Sequence, residues 1–516
     1  MSCFSGRQTR RALLRNASVL AGWSVLVKPA CLFAQPASGD LVVSAPVGTF
    51  RGVAEGGVRV FRGVPFAEPP VGPLRFRPSV ALRLAPGVRD ATRFAAEAMQ
   101  KAEAGIARSE DCLYLNVWAP AGKGPHPIFV WIHGGGFTGG HAFAPIFDGA
   151  GFARAGVLVV TVAYRLGVFG FMDLEPILGP SYADSANNGT RDLMAALRWV
   201  HENIAGFGGD PTQVTLGGES AGAKVVAALM AVPESAAMFR SVISQSGGGE
   251  RVLTREQAAG VSHDFASLWK QSGNSSADMR SADAAALIDV QEKLLAGSAI
   301  HFPFRQETGG NLLPKRPIDL IAGDLAKRKR MLIGSNRDES ALFLGPHPDG
   351  RVKRSDLGNV PLDVFSGVVA KYASLYPAMS LPQHEIRSVT AEEYWIPTVR
   401  LAEANAGNGG DTWMYRLDYA RTTGRMAGEA YHSEDLGLMW DALSPEEAQD
   451  TQMKALGTQM QTAWIAFMKG KAPGADGLPS WPQFDKAKRA TMILDRVSRV
   501  EGDPNAAERR LWTGVL

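Results

Sequence analysis

The chain has 516 residues, of which 45% are hydrophobic and 20% charged, and its formal net charge is +3. This composition is sufficient for a large buried core. Five basic residues and no acidic ones fall within the first 34 positions, so the formal charge of the remainder falls by five, from +3 to −2. A chain without surplus positive charge offers no electrostatic argument for a nucleic-acid partner.

The N-terminal segment has the pattern of an export signal. Two adjacent arginines stand within Thr9–Arg15, and an apolar stretch follows at Ala17–Val27. A basic start followed by a short hydrophobic region predicts a twin-arginine signal peptide over residues 1–34, with cleavage after Ala34. The apolar stretch is too short to span a membrane comfortably. We therefore expect a periplasmic or secreted protein with no stable membrane span after the signal is removed.

Cysteine usage follows from that processing. Cys3 and Cys31 lie within the predicted signal, which leaves Cys112 alone in the mature chain. A single thiol cannot form an intramolecular disulfide. Apolar residues at positions 113, 115 and 117 predict a strand with one face in the core. We therefore expect Cys112 to be a buried, unreactive thiol.

A glycine run follows the first strongly apolar strand. Pro127–His133 has the composition of a buried strand and leads directly into three glycines at 134–136. Backbone amides of residues without side chains can approach a negatively charged oxygen closely. We predict that the N–H groups of Gly135 and Gly136, together with that of Ala221, which directly follows Ser220, form an oxyanion hole. A glycine-rich turn without a catalytic role is the alternative for the glycine run.

The most informative motif lies in Val214–Ala223. A short apolar strand there ends at a Gly-x-Ser-x-Gly sequence, and an alanine-rich helical pattern follows. Such a strand-to-helix turn is a nucleophile elbow, which strains the central residue and requires small neighbours, here Gly218 and Gly222. The pattern predicts that Ser220 is a nucleophile at the start of a helix.

The remaining strands and helices indicate the fold class. Further strand-like runs occur at 157–163, 242–244, 331–334, 413–417 and 491–494, separated by helical or looped stretches. In one of these stretches, Asn188–Ile204, apolar residues recur at intervals of three and four, which predicts an amphipathic helix packed on a sheet. This order predicts an α/β fold with a mostly parallel central sheet flanked by helices. Residues 253–319 depart from the regular strand pattern and, with residues 338–388, are expected to be insertions that supply a lid and pocket walls. Because the motifs span nearly the whole length, we expect one domain over residues 35–516.

A serine nucleophile in such a fold needs an acid and then a base later in the chain. The apolar run within Lys329–Glu339 ends in a polar loop with two carboxylates, of which Glu339 is the candidate acid. Three of the nine histidines follow it: His347, His384 and His432. Chain order alone does not choose among them.

From about Val47 onward the chain resembles the type-B carboxylesterases, the α/β-hydrolase family that includes para-nitrobenzyl esterases and cholinesterases. The most specific matching segments are Phe61–Phe76, Ser109–Trp118, Phe207–Pro211 and Gly218–Gly222, which occur in the family's order.

The resemblance implies roles for individual residues. The family pattern Asn-x-Asp-Glu-Gly matches residues 336–340 and implies that Glu339 is the acid, and His-Gly-x-Glu-Leu matches residues 432–436 and implies that His432 is the base. Ser246 matches a second serine that hydrogen-bonds the acid in the family. Glu219 is expected to line the pocket floor and to disfavour anions there. Many members bridge the position of Cys112 to a cysteine shortly upstream, but residues 94–100 contain none.

No cofactor is expected. The histidines are scattered, the chain contains neither a His-x-x-x-His nor a Cys-x-x-Cys motif, and the glycines at 134–136 lack the lysine and spacing of a phosphate loop. The sequence therefore predicts no metal site and no nucleotide site.

The expected activity is hydrolysis of small-molecule carboxylic esters by a serine, histidine and glutamate triad through an acyl-enzyme. An amidase or acyltransferase on the same fold is the alternative, and a catalytically inactive adhesion module is disfavoured because the serine and histidine are present. The sequence indicates neither the physiological ester nor the oligomeric state. Large aromatic residues are more often part of the core, but six are candidates to line an apolar pocket for an aromatic or alkyl ester: Phe137, Phe302, Phe304, Phe343, Trp395 and Trp440.

Overall fold

A computed structural model of the chain describes residues 41–83, 86–323, 328–345 and 352–516. The predicted signal peptide and His347 lie outside the described residues. All described residues fall within one compact unit, Ala37–Leu516. No helix in the described ranges is long and apolar enough to cross a membrane.

The central element is a 13-stranded sheet. The strands are β1 Leu41–Ala45, β2 Gly48–Glu55, β3 Val58–Pro65, β4 Val88–Asp90, β5 Glu97–Ala98, β6 Arg108–Ser109, β7 Tyr114–Pro120, β8 His126–Ile132, β9 Leu158–Val162, β10 Gly209–Glu219, β11 Ser241–Gln245, β12 Arg330–Asn336, β13 Thr412–Leu417, β14 Ala490–Leu494 and β15 Arg499–Gly502. The central sheet has the order β1-β2-β3-β7-β9-β8-β10-β11-β12-β13-β14-β15, with β4 paired to β2, and β5 and β6 form a separate two-stranded sheet. Every pairing from β9 across to β14 is parallel, and apart from the parallel β2–β4 pair the pairings at both ends are antiparallel, which confirms the predicted mostly parallel sheet.

Helices cover both faces of the sheet. They are α1 Ala150–Arg154, α2 Gly167–Gly170, α3 Glu175–Leu178, α4 Asn188–Asn203, α5 Ala221–Ala231, α6 Pro233–Ala236, α7 Arg255–Gln271, α8 Ala284–Gly297, α9 Pro317–Ala322, α10 Ala341–Leu344, α11 Leu362–Val369, α12 Tyr372–Leu375, α13 Leu381–Thr390, α14 Ile396–Gly407, α15 Glu434–Met439, α16 Thr451–Met468 and α17 Ala506–Leu511. A π-helical turn, Ala391–Trp395, joins α13 to α14.

The alternation of side chains along β8 explains the layered core. Ile128, Val130 and Ile132 enter one hydrophobic cluster, to which α4 contributes, and Phe129 and Trp131 enter a second cluster, to which α16 contributes. Successive strand residues point to opposite faces of a sheet, so a strand buried on both faces must be apolar throughout. The predicted amphipathic helix is α4, which continues as a 3-10 turn to Phe207.

Parallel strands place their carboxyl ends at one edge of the sheet, where ligand sites of α/β proteins form. The glycine run follows β8, Ser220 follows β10, Ser246 follows β11 and Glu339 lies just beyond β12. The topology thus brings together segments that are far apart in sequence.

Cys112 is buried, with 1% of its surface exposed, and it is a free thiol. Burial raises the pKa of the thiol, which keeps it protonated and unreactive. The strand after it begins at Tyr114 and is buried on both faces rather than on one, because Leu115 and Val117 enter one hydrophobic cluster and Trp118 enters the other.

We therefore expect the mature protein to melt at the same temperature with and without reductant. A related enzyme held by a disulfide would lose about 2 to 5 kcal/mol of stability on reduction. Thermal denaturation with and without dithiothreitol, together with thiol titration of native and unfolded protein, tests this. A clear drop in melting temperature would show that Cys112 pairs with another cysteine.

Candidate active site

The turn at Ser220 is strained. Ser220 adopts φ +54° and ψ −122°, between the end of β10 and the start of α5. A Cβ atom on Gly218 would lie 2.6 Å from the carbonyl carbon of Gly222, and one on Gly222 would lie 2.2 Å from the oxygen of Ile132. Neither position accepts a side chain, which is the physical reason for glycine on both sides of the serine. The backbone N–H of Ser220 donates to Gln245 O at 2.9 Å and ties the elbow to β11.

The glycine run lies directly beside this elbow. A Cβ atom on Gly134 would lie 3.1 Å from Ser220 Cβ and 2.6 Å from Glu219 Oε2. The next two glycines both have positive φ, +114° at Gly135 and +61° at Gly136. The loop can approach the serine this closely, and turn this sharply, because it carries no side chains.

Hydrogen bonds fix the carbonyl groups of Gly134 and Gly135, and these bonds orient the N–H groups of the glycine loop. His133 Nδ1 lies 2.8 Å from Gly134 O, and Gly135 O accepts from Thr138 N at 3.2 Å and from Gly139 N at 2.9 Å. In a planar trans peptide the N–H points opposite to the C=O of the preceding residue. Fixing these two carbonyls therefore fixes the directions of the N–H groups of Gly135 and Gly136.

His133 itself was not singled out from the sequence. Burial lowers the pKa of His133 to about 4, so the ring is neutral at pH 7. A neutral ring that faces a carbonyl through Nδ1 carries its proton on that nitrogen and donates it. The signal available in the sequence was the position of this histidine immediately before the glycine run.

Glu339 and His432 are in direct contact. Glu339 Oε2 lies 2.5 Å from His432 Nδ1, and its Oε1 accepts from Ser246 Oγ at 2.5 Å and from the N–H of Asn336 at 2.7 Å. Both oxygens of this fully buried carboxylate are therefore used. Among the described residues, the other late histidine, His384, instead contacts Tyr376 O through Nε2 at 2.9 Å.

The second ring nitrogen of His432 faces the residue that precedes the nucleophile. His432 Nε2 lies 3.1 Å from Glu219 Oε1, which also accepts from Ser433 Oγ at 2.6 Å. Ser220 Oγ makes no hydrogen bond with any residue that the structure describes. Catalytic hydrogen bonds are often long before substrate binds.

The charges around His432 favour its protonated form. Burial lowers the pKa of His432, but attraction to Glu219 and Glu339 and the hydrogen bond to Glu339 outweigh burial, so the net shift is upward. Burial also raises the pKa of Glu219, to about 7, against the opposing effects of His432 and Ser433. A cationic imidazole between two carboxylates is therefore well stabilised at this site.

A polar network beside Glu339 and His432 was not predicted from the sequence. Asp435 is buried and accepts from Tyr415 OH at 2.6 Å and from Gln245 Nε2 at 2.8 Å. Asn336, whose N–H contacts Glu339, also reaches Asp435 Oδ1 through Nδ2 at 3.4 Å. The network links β11, β12 and β13 to α15, which begins two residues after His432. Asn336 and Asp435 lie within the matched motifs at 336–340 and 432–436, but the contacts are long-range and neither motif shows that they meet.

Two of the six candidate aromatic residues lie at the site. The ring of Phe343 is 5.3 Å from that of His432, and Phe302 packs on Gly136, where a Cβ atom would lie 2.7 Å from the phenyl ring. Tyr394, which was not predicted, lies 4.8 Å from the ring of His432. The other four residues belong to the hydrophobic core clusters, as large apolar residues more often do: Phe137, Phe304, Trp395 and Trp440.

No group of three or more histidine, cysteine, aspartate or glutamate residues that could hold a metal occurs within the described ranges. The polar groups at the site instead make hydrogen bonds to one another.

The fold and this site define the class of the protein, an α/β-hydrolase. The sequence profile described as "Carboxylesterase family" matches residues 39–512. The chain belongs to the carboxylesterase family and is a carboxylic ester hydrolase.

Relatives support the assignment over nearly the full length. The para-nitrobenzyl esterase of Bacillus subtilis (strain 168) is 34% identical over 489 residues, which cover 91% of this chain and 98% of that protein. The fumonisin B1 esterase of Sphingopyxis macrogoltabida is 32% identical over 523 residues, 96% of this chain and 94% of that protein. Among solved structures, a Geobacillus stearothermophilus carboxylesterase superposes with a TM-score of 0.81 at 33% identity and covers 91% of this chain and 99% of its own.

Proposed function

We propose that the protein hydrolyses carboxylic esters through an acyl-enzyme formed on Ser220, with His432 as general base and Glu339 as the acid that orients it. The observation that carries this proposal is the position of His432. One ring nitrogen lies 2.5 Å from Glu339, and the other lies 3.1 Å from Oε1 of Glu219, the residue that precedes Ser220. A base must reach the nucleophile with one nitrogen while a carboxylate holds the other.

In the first step Ser220 Oγ attacks the ester carbonyl carbon and its proton passes to His432 Nε2. The carbonyl oxygen becomes an oxyanion, which the N–H groups of Gly135, Gly136 and Ala221 would stabilise. Each such donor is typically worth about 3 to 4 kcal/mol in the transition state. The bond to the alcohol oxygen then breaks, and Nε2 returns the proton to the leaving alcohol.

In the second step a water molecule attacks the acyl-enzyme. His432 Nε2 takes one proton from the water, and the oxygen forms the new bond to the acyl carbon. Collapse of this intermediate releases the carboxylic acid and returns the proton to Ser220 Oγ. The carboxylate of Glu219, 3.1 Å from Nε2, would help to stabilise the imidazolium in both steps.

We propose an apolar or aromatic group next to the ester as the preferred substrate feature. Phe302, Phe343 and Tyr394 present rings around the glycine loop and His432. Two relatives are named for esters, para-nitrobenzyl esterase and fumonisin B1 esterase, which agrees with an esterase but does not select the group.

The preferred leaving group and the preferred acyl acceptor distinguish an esterase from an amidase and from an acyltransferase. The enzyme would be offered a nitrophenyl ester, the matched nitroanilide and the ester with added primary alcohol, and early product release would be followed on the millisecond scale. We expect a burst of one nitrophenol per chain, much slower amide cleavage and the free acid as main product. Preference for the amide would indicate an amidase, and predominant transfer to the alcohol an acyltransferase.

Export is a separate proposal. We infer from the paired arginines at 10 and 11 that the chain is exported by the twin-arginine route. Changing Arg10 and Arg11 to lysine should leave precursor in the cytoplasm, whereas the unchanged chain should yield mature protein beginning near Gln35. Immunoblots of cell fractions and N-terminal sequencing measure this. Normal export of the double variant would favour the general secretory route.

A further inference from the structure

A buried glutamine, Gln100, forms two hydrogen bonds with Gly140, at the end of the glycine loop. Gln100 Nε2 donates to Gly140 O at 2.9 Å, and Gly140 N donates to Gln100 Oε1 at 3.0 Å. Both ends of the amide are thus bonded to one residue of the loop. Gln100 is only 5% exposed, so water competes little for these bonds.

The hydrogen bonds from Gln100 to Gly140 also affect Gly135, because the Gly139–Gly140 peptide packs on Gly135. Because Gly140 N–H points at Gln100, the carbonyl of Gly139 points the opposite way. That carbonyl lies against Gly135, where a Cβ atom would be 2.1 Å from Gly139 O, and the N–H of Gly139 donates to Gly135 O at 2.9 Å. Gln100 therefore binds the peptide that packs on Gly135, and the residue at one end of that peptide, Gly139, binds the carbonyl of Gly135.

The glutamine is itself anchored from behind. Its backbone oxygen accepts from Arg108 Nη1 at 2.5 Å, and β5, two residues upstream, pairs with β6. A second contact to the loop runs parallel to the first, because Glu97 Oε2 lies 3.2 Å from His141 Nδ1. Cys112 is a free thiol, so its sulfur does not hold this segment covalently.

We propose that Gln100 is a positioning residue for the oxyanion hole, which keeps the N–H groups of Gly135 and Gly136 aimed at the developing oxyanion. The inference rests on the proposed role of those two amides. Gln100 acts through the loop and does not touch the substrate.

The test is Gln100→Met, which keeps the length of the side chain and removes both hydrogen bonds to Gly140, together with the weaker one from Nε2 to Ala98 O at 3.3 Å. We expect kcat to fall by about ten- to a hundredfold, the cost of a displacement of catalytic groups by up to about 1 Å. KM should stay within about twofold, since ground-state binding does not use the hole. Affinity for an aryl trifluoromethyl ketone, whose adduct with the serine places an oxyanion in the hole, should fall in parallel with kcat/KM.

A matched control exists elsewhere in the chain. The side-chain amide of Asn187 forms the same pair of hydrogen bonds with the backbone of Glu307. Nδ2 donates to Glu307 O at 3.0 Å, and Oδ1 accepts from Glu307 N at 3.3 Å. Asn187→Leu should lower the melting temperature with little change in kcat or ketone affinity. Gln100→Asn, one methylene shorter, provides a milder variant should the methionine variant not fold, and it should show the same parallel loss at smaller size.

The results separate this inference from the proposed function. Unchanged kcat and ketone affinity in both Gln100 variants, or an equal loss of kcat in Asn187→Leu, would overturn the positioning role. If Ser220→Ala is inactive while the Gln100 variants are normal, only the positioning role fails. If Ser220→Ala remains active, the proposed function fails first.

Discussion

Replacement of Ser220 by alanine should abolish ester hydrolysis while the protein remains folded. The change removes the attacking oxygen and breaks no hydrogen bond, because Ser220 Oγ has no hydrogen-bond partner among the described residues. In serine hydrolases of this kind the loss in kcat is about 10⁶-fold. Initial rates on a nitrophenyl ester, with circular dichroism and melting temperature measured on the same preparation, check both halves of the expectation.

A buried serine near the other end of α5 provides the control. Ser235 Oγ donates to Leu229 O at 2.7 Å, and the residue is fully buried. Ser235→Ala should lose some stability and keep its activity. A Ser220→Ala preparation with a tenth of the normal kcat would contradict the assignment of the nucleophile.

Replacement of His432 by alanine should be nearly as damaging, because the proposed mechanism needs its imidazole to take the proton from Ser220. His384→Ala should be close to normal, since its ring bonds to Tyr376 O. His347→Ala is also expected to be close to normal. Comparison of kcat for the three variants measures this, and loss of activity in His384→Ala but not in His432→Ala would refute the choice of base.

The pH profile gives the same assignment a second test. Catalysis needs His432 neutral, so kcat/KM of the free enzyme should rise with pH as the imidazolium loses its proton. An unperturbed histidine titrates near about 6.5. Because Glu219 and Glu339 raise the pKa of His432, the midpoint should lie above that value. A midpoint well below about 6 would contradict the two-carboxylate environment.

Local pattern was sufficient for much of the fold. The strand over residues 158–162, the elbow at Ser220 and the helix beginning at Asn188 depend on apolar periodicity and on glycine spacing, which are visible in a short window. The same window cannot choose among three histidines. The proximity of His432 to Glu339 depends on how β12 and β13 lie side by side. The choice of His432 as the base therefore came from the family resemblance.

The supporting residues were missed for a related reason. His133, Gln100 and Asp435 act through contacts with backbone groups or with residues remote in sequence, so residue type and spacing do not distinguish them from ordinary polar residues. For the aromatic residues, the sequence left both a pocket position and a core position open. Large apolar side chains belong to the core by default, as Trp440 does, and only the structure separates the two that face the site.

The acyl-enzyme itself is the most direct test of the proposed mechanism. The enzyme would be mixed with a slowly deacylating aryl ester, quenched in acid within the first turnover and analysed by mass spectrometry after proteolysis. We predict one acyl group per chain, on the peptide that contains Ser220, and none in Ser220→Ala. An acyl group on a different residue, or turnover at the normal rate with no acylated peptide, would contradict the mechanism.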